Sequence, residues 1–349
     1  MLAAAALLLP ALTSRPTAHD SITTRVTFDR EIRAILDARC GACHSSRGSA
    51  PIPFTTYEEV RPWARAIKEQ VLSRRMPKWH AARGFGAFTD DPSLTPLETA
   101  LIVSWVDGGL PRSATVAPST APAASAAPSS APVASAFRRK IDAFRLQSNL
   151  AITVRAKADA GVATLSAKAD APSVTAAWIA GWSFEPGDPL ITSARISSAS
   201  GPIATWVAGD PPVTLAAGYA IRATGTLRVE LQRRAPADYE SSYTARRSVL
   251  RLVTGSERPA RRAVVEEAQC GVPPSRSATV LAIRPLLDRG GSARLWLQRP
   301  GAPASVLGWF REFDPSFARS YWLARPVDLT PDARIQSDTP CRVELTLAR

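Results

Sequence analysis

The chain has 349 residues, of which 45% are hydrophobic and 21% charged, proportions that exclude wholesale disorder and a membrane-embedded helical bundle. Forty-three Lys and Arg against 30 Asp and Glu leave a formal charge of +13, which selects partners of negative sign. Arginines such as Arg228, Arg233, Arg246 and Arg261 stand singly, with no basic block and no nucleic-acid motif, so an acidic protein partner or adsorption to an anionic surface is expected and nucleic acid is not.

At this length two or three domains are expected. Residues 1–24 open with MLAAAALLLPAL, an apolar run of signal-peptide length that lacks the usual preceding Lys or Arg. It is too short to cross a bilayer, and no transmembrane span is expected. Read as an export signal, it sends the protein to the periplasm or the cell exterior; the alternative is a floppy apolar terminus. From 25 to 112 the apolar spacing is helical. TFDREIRAILDARC aligns Phe28, Ile32, Ile35 and Leu36 on one face. TTYEEVRPWARAIKEQVLSRR starts on a capping box of Thr56 and Glu59. TPLETALIVSWVDGG repeats the box with Thr95 and Glu98, adds Pro96 at the first helical position and stops at Gly108 and Gly109.

Directly after the first helix comes CGACH, Cys40 to His44. C-x-x-C-H is the attachment signature of haem c: two thiols add to the porphyrin vinyl groups, and the adjacent imidazole reaches the iron. A redox dithiol belongs after a strand in a βαβ frame, which is not offered here. Zinc needs four ligands, and the segment has no second Cys or His pair. One covalent haem is therefore expected, with Cys40 and Cys43 as thioether donors and His44 on the iron. The second axial ligand is expected from Met76, the only methionine besides Met1; His80 and an open sixth position are the alternatives.

Residues 113–136 contain only small residues, Pro and a few Val, the composition of an extended linker. Beyond it, runs such as TLRVELQ, SVLRLV, ATVLAI and ARLWLQ alternate with turn residues, predicting two β-sandwiches over 137–254 and 255–349. Cys270 and Cys341 both fall in the second, and in an exported protein the pair is predicted to form a disulfide; two separate buried thiols are the alternative. Trp178, Trp182, Trp206, Trp296, Trp309 and Trp322 are expected mainly in sandwich cores rather than on a sugar-stacking face.

TFDREIRAILDARCGACH, PFTTYEEVRPWARAIKEQVLSRRMPKWHA and LTPLETALIVSWVDGGLP resemble the cytochrome c domains that precede copper-dependent monooxygenase-like domains. The resemblance implies an all-α, class I-like cytochrome c fold with His44 and Met76 as axial ligands. FEPGDPLITSARI, LAIRPLLDRGGSARLWLQRPGA and FDPSFARSYWLARPVDLTPDARI resemble ascorbate-dependent type II copper monooxygenases of the peptidylglycine-hydroxylating type. That family implies tandem jelly-roll-like sandwiches with copper histidines, but Thr192, Ser193, Leu286 and Asp288 stand in their places and no His or Met follows Ala136. No copper and no hydroxylase activity are expected. The fold class expected is thus multidomain, an all-α cytochrome c domain followed by all-β sandwiches. Its function is expected to be single-electron transfer with a redox partner protein, the β region docking or scaffolding. A redox-tagged binding module and an oxidoreductase with its active site in the back half are the alternatives.

Overall fold

The computed structural model describes residues 24–46, 48–113, 147–154, 163–166, 177–234, 248–255 and 258–349. All but the last residue of the expected export segment and all but the first residue of the expected linker lie outside them. Near the amino end a π-helical turn, Phe28–Ile32, runs into α1 (Arg33–Arg39). Then come α2 (Tyr57–Val60), α3 (Ala64–Leu72) and α4 (Pro96–Asp107). Both capping boxes form as the sequence predicts, Thr56 with Glu59 and Thr95 with Glu98. The single helix expected over the second stretch is broken. Pro62, which has no N–H to donate, sits in a 3-10 turn, Arg61–Trp63, between α2 and α3. Phe28, Ile32, Leu36, Val60, Ala64, Ile102 and Trp105 make the small core of this region.

Sixteen strands lie among the described residues. The first nine are β1 (Gln147–Val154), β2 (Ala163–Ser166), β3 (Ala177–Glu185), β4 (Ile191–Ser198), β5 (Gly201–Val207), β6 (Val213–Thr214), β7 (Tyr219–Ala223), β8 (Arg228–Arg233) and β9 (Ser248–Gly255). The rest are β10 (Arg261–Gln269), β11 (Ala278–Leu286), β12 (Ala293–Gln298), β13 (Ser305–Phe310), β14 (Tyr321–Leu329), β15 (Arg334–Ser337) and β16 (Arg342–Ala348). One nine-stranded sheet takes the order β1-β9-β3-β7-β10-β16-β11-β14, with β6 on β3. A four-stranded sheet, β2-β8-β4-β5, and a three-stranded sheet, β13-β12-β15, complete the β structure. Alternation sets the inward faces: Val229 and Leu231 of β8 meet Leu250 and Leu252 of β9 in one core. Leu295 and Leu297 of β12 meet Val343, Leu345 and Leu347 of β16 in the other. Each such side chain contributes roughly 1.5–3 kcal/mol by leaving water.

Two expectations about architecture are corrected here. The chain is predominantly β, and its few short helices are not an all-α cytochrome c domain. Between Met76 and α4, residues 79–89 leave the helical region and join the second β core. Ala81 and Phe88 form bridges with Phe310 and Leu323, Ala82 donates to the Trp309 carbonyl at 2.7 Å, and Trp79 and Phe88 pack on the same cluster. The physical reason is composition: WHAARGFGAF is too aromatic to stay in solvent, and four short helices offer it too little apolar surface.

Nor are there two self-contained sandwiches of the copper-monooxygenase type. Strand β7 pairs in parallel with β10, Arg261 opposite Tyr219 and Ala263 opposite Ile221, so strands from both halves share one sheet. Pairing satisfies two strand edges that would otherwise expose bare N–H and C=O groups. The predicted disulfide is present: Cys270 and Cys341, 71 residues apart, have Cα atoms 5.5 Å apart. It closes the end of the β10–β16 pair, where Gln269 lies opposite Arg342.

Candidate functional site

The C-terminus of α1 delivers the C-x-x-C-H turn. Cys40 caps the helix, its N–H donating to the Leu36 carbonyl at 2.8 Å, and Gly41 donates to the same oxygen at 2.9 Å. A β-carbon at position 41 would lie 2.5 Å from the Asp37 carbonyl oxygen, so a residue without one is needed there. The N–H groups of Cys43 and His44 return to the Cys40 carbonyl at 3.1 and 2.8 Å. One turn of backbone thus carries both sulfurs and the imidazole.

Residues 48–54 fold back over this turn. Ala50 donates to the Cys43 carbonyl at 2.9 Å and Phe54 to the His44 carbonyl at 2.7 Å. His44 Nδ1 lies 2.7 Å from the Ile52 carbonyl oxygen. A carbonyl only accepts, so Nδ1 carries the proton and Nε2 keeps its lone pair. Phe54 stacks on the ring with centroids 4.1 Å apart and planes within 5°. An outer hydrogen bond of this kind fixes the tautomer and orientation of a metal-ligating histidine. Burial lowers the His44 pKa below its ordinary value, against the opposing pull of the Ile52 bond, and the ring stays neutral at pH 7.

Cys40 and Cys43 are unbridged. Burial, then the neighbouring Cys43 and Glu98, pushes the Cys40 thiol up to about 12. Burial also raises Cys43, with Ser49 and Arg319 pulling the other way and Asp210 reinforcing it. Disulfide exchange needs a thiolate near neutral pH, and here both sulfurs are held protonated. Both shifts disfavour a role in disulfide exchange.

The turn rests against the β region. Gly209, with φ +89°, approaches so closely that a β-carbon there would lie 2.6 Å from Cys43 Sγ. Next to it Asp210 pairs with Arg319 at 3.3 Å, and Arg319 donates to the Ala208 carbonyl at 3.2 Å while its guanidinium lies 5.4 Å from the centre of the Trp79 ring. Arg319 Nε and Trp79 Nε1 are buried without acceptors. Sequence reading missed Asp210, Arg319 and Trp79, because residues more than 100 positions apart carry no local signal of meeting.

Met76 follows α3, its N–H donating to the Gln70 carbonyl at 3.2 Å, and is 37% exposed. His80, the alternative axial donor, is committed elsewhere. Its Nε2 accepts from the Asp314 N–H at 3.2 Å and its Nδ1 lies 3.3 Å from the Tyr321 hydroxyl. The positions compared with copper histidines are also in ordinary use: Thr192 donates to the Gln232 carbonyl at 3.3 Å, and Ser193 to Gln232 Oε1 at 3.0 Å. Among the described residues no three His, Cys, Asp or Glu side chains converge as a metal cage. The expected metal-binding site thus finds no such cage among those residues; what they present is one turn that carries two thiols and an imidazole.

No family model matches the chain, and no curated protein matches it. The resemblances to cytochrome c and copper-monooxygenase domains are therefore without support beyond the residues quoted for them. Among solved structures, the major capsid protein P2 of bacteriophage PM2 aligns with 58% of this chain and 96% of its own, at 8% identity and a TM-score of 0.30. A structure from Sulfolobus turreted icosahedral virus aligns with 58% of this chain and 89% of its own, at 9% identity and a TM-score of 0.24. Likenesses this slight carry no argument about the protein's role.

Proposed function

We propose that Cys40, Cys43 and His44 are the covalent attachment site of one haem c, and that the exported chain carries single electrons to or from an acidic partner protein. One observation carries this reading: the Ile52 carbonyl fixes the His44 proton on Nδ1, leaving Nε2 bare, on the same turn as two unbridged sulfurs. A porphyrin carries iron donors of its own, so it would ask the chain for two thiols and one or two further ligands rather than a cage. The residues fit that demand. Cys40 and Cys43 would hold the macrocycle and His44 Nε2 the iron, with the Met76 thioether as the second protein donor the sequence offers. Trp79 Nε1 and Arg319 Nε, buried donors lacking acceptors, suit the carboxylates of the group.

Bound, a haem supplies one-electron redox chemistry. The chain's own contribution is to keep the imidazole neutral and oriented, through Ile52 and Phe54, and to shield the sulfurs from water. The Cys270–Cys341 bridge supports an oxidising compartment, and the formal charge of +13 supports an acidic partner. The β layers would dock that partner or scaffold the attachment turn.

The test is expression of the full chain in a host that matures c-type haem proteins, followed by intact-mass measurement and a spectrum in alkaline pyridine after denaturation. One haem is expected to remain attached to the wild-type chain and to be lost from the Cys40→Ala/Cys43→Ala variant. A colourless wild-type chain, with the mass of the bare polypeptide, would overturn the proposal.

A further inference from the structure

Where β7 meets β10, the seam between the two halves of the long sheet, a cleft of about 420 Å³ opens, lined by Trp178, Arg222, Arg258, Arg262 and Arg349 among others. Its walls come from neighbouring strands. Trp178 of β3 is the direct cross-strand partner of Arg222 on β7. Arg262 lies on β10, and it exchanges backbone hydrogen bonds of 3.0 and 2.8 Å with Arg349, just past β16. Ile179, Ile221 and Ala263, each adjacent in sequence to one of these, belong to the first core. The pleat therefore turns Trp178, Arg222 and Arg262 together onto the opposite face.

The charge in this cleft is unbalanced. Arg349 forms two bonds to Glu266, at 2.7 and 2.6 Å, yet its Nε is buried with no acceptor. The ion pairs among the described residues give no carboxylate to Arg222, Arg258 or Arg262. A solvated face accounts for arginines scattered singly over a surface. It does not account for three arginines without a carboxylate partner lining one concave seam beside an indole, next to a fourth whose pair with Glu266 leaves its Nε without an acceptor, because such an excess of positive charge favours an anion between them.

We infer that this cleft binds a small organic anion, an oxyanion of carboxylate or phosphate type carried on a flat ring or apolar stem. Guanidinium forks match the paired oxygens of such groups, and the Trp178 face accepts the stem. The volume falls within the roughly 300–1,000 Å³ of small-molecule sites, which favour seams between structural units. The site shares no residue with the Cys40–His44 turn and does not depend on haem attachment.

Isothermal titration of the full chain with phenyl phosphate, benzoate and neutral benzyl alcohol tests this. Saturable binding of one or both anions, weakening as sodium chloride rises, is expected, with none for benzyl alcohol. Phenyl phosphate alone binding assigns phosphate, and benzoate alone assigns carboxylate. Arg222→Gln and Arg262→Gln are each expected to weaken the complex by roughly tenfold or more. Trp178→Leu should weaken phenyl phosphate while leaving inorganic phosphate unchanged. The proposal is overturned if neither anion binds saturably, if wild-type binding is indifferent to salt, or if the folded double arginine variant binds as the wild type does.

Discussion

His80 shows how one side chain can join regions far apart in the chain. It is 8% exposed, its backbone N–H donates to the Tyr321 hydroxyl at 3.1 Å, and its ring is hydrogen-bonded on both nitrogens. Burial lowers its pKa to about 4; Arg319 and Lys78 push the same way, and Asp314 opposes them. Protonation would turn Nε2 into a donor facing the Asp314 N–H, so the bond would be lost. Because the folded pKa lies below the ordinary 6.5, the unfolded chain binds more protons in between. The His80 contribution is whole above pH 6.5 and is lost as pH falls towards 4, about 3 kcal/mol across that window. Urea midpoints measured at pH 7.0 and 5.0 are therefore expected to fall on acidification. His80→Gln should lower the midpoint at pH 7.0 but flatten the difference between the two.

At the scale of elements, the second half of the long sheet depends on the pairing of β10 with β16. Seven residue pairs hold the two strands in register, and the Cys270–Cys341 bridge lies just beyond the last of them. A bridge across 71 residues restricts the unfolded chain most, and loop-closure arithmetic puts its contribution at about 4 kcal/mol. Replacing both cysteines by alanine is expected to lower the unfolding free energy by about that amount in denaturant titration. A change well under 1 kcal/mol would mean that the unfolded chain is already restricted without the bridge. The helices rest on smaller local devices, each capping box being worth about 1 kcal/mol, which explains how helices of four to twelve residues persist beside a large β structure.

Over the whole molecule, the continuous sheet and one buried carboxylate tie the halves together. Glu344 of β16 accepts from Arg195 of β4 at 2.7 Å and lies 3.3 Å from Arg284 of β11. Its side chain is 5% exposed. Glu344→Gln would leave two guanidiniums facing each other with only the half-exposed Glu267, 4.0 Å from Arg195, to offset them, and a cost of about 3 kcal/mol is expected. With every strand of the long sheet sharing hydrogen bonds with a neighbour, the wild-type β region is expected to unfold in one transition, by both circular dichroism and tryptophan fluorescence. Two separated transitions would show that the β7–β10 seam does not couple the halves. Glu344→Gln should shift that transition and, if the joint carries the coupling, broaden or split it.

The sequence by itself determined the local features: both capping boxes, the C-x-x-C-H segment directly after the first helix, the alternation that makes β8, β9, β11 and β12 strands, and the bridged cysteine pair. These rest on interactions within a few residues, or on a partner choice limited to the two cysteines outside the C-x-x-C-H turn, so composition and spacing suffice. Only the tertiary structure decided that Trp79 to Thr89 leaves the helices for the second β core, that β7 joins β10 into one sheet, and that four arginines from separate stretches line one cleft. Those outcomes depend on which apolar faces and strand edges meet after long loops close, and no pattern along the chain records that choice.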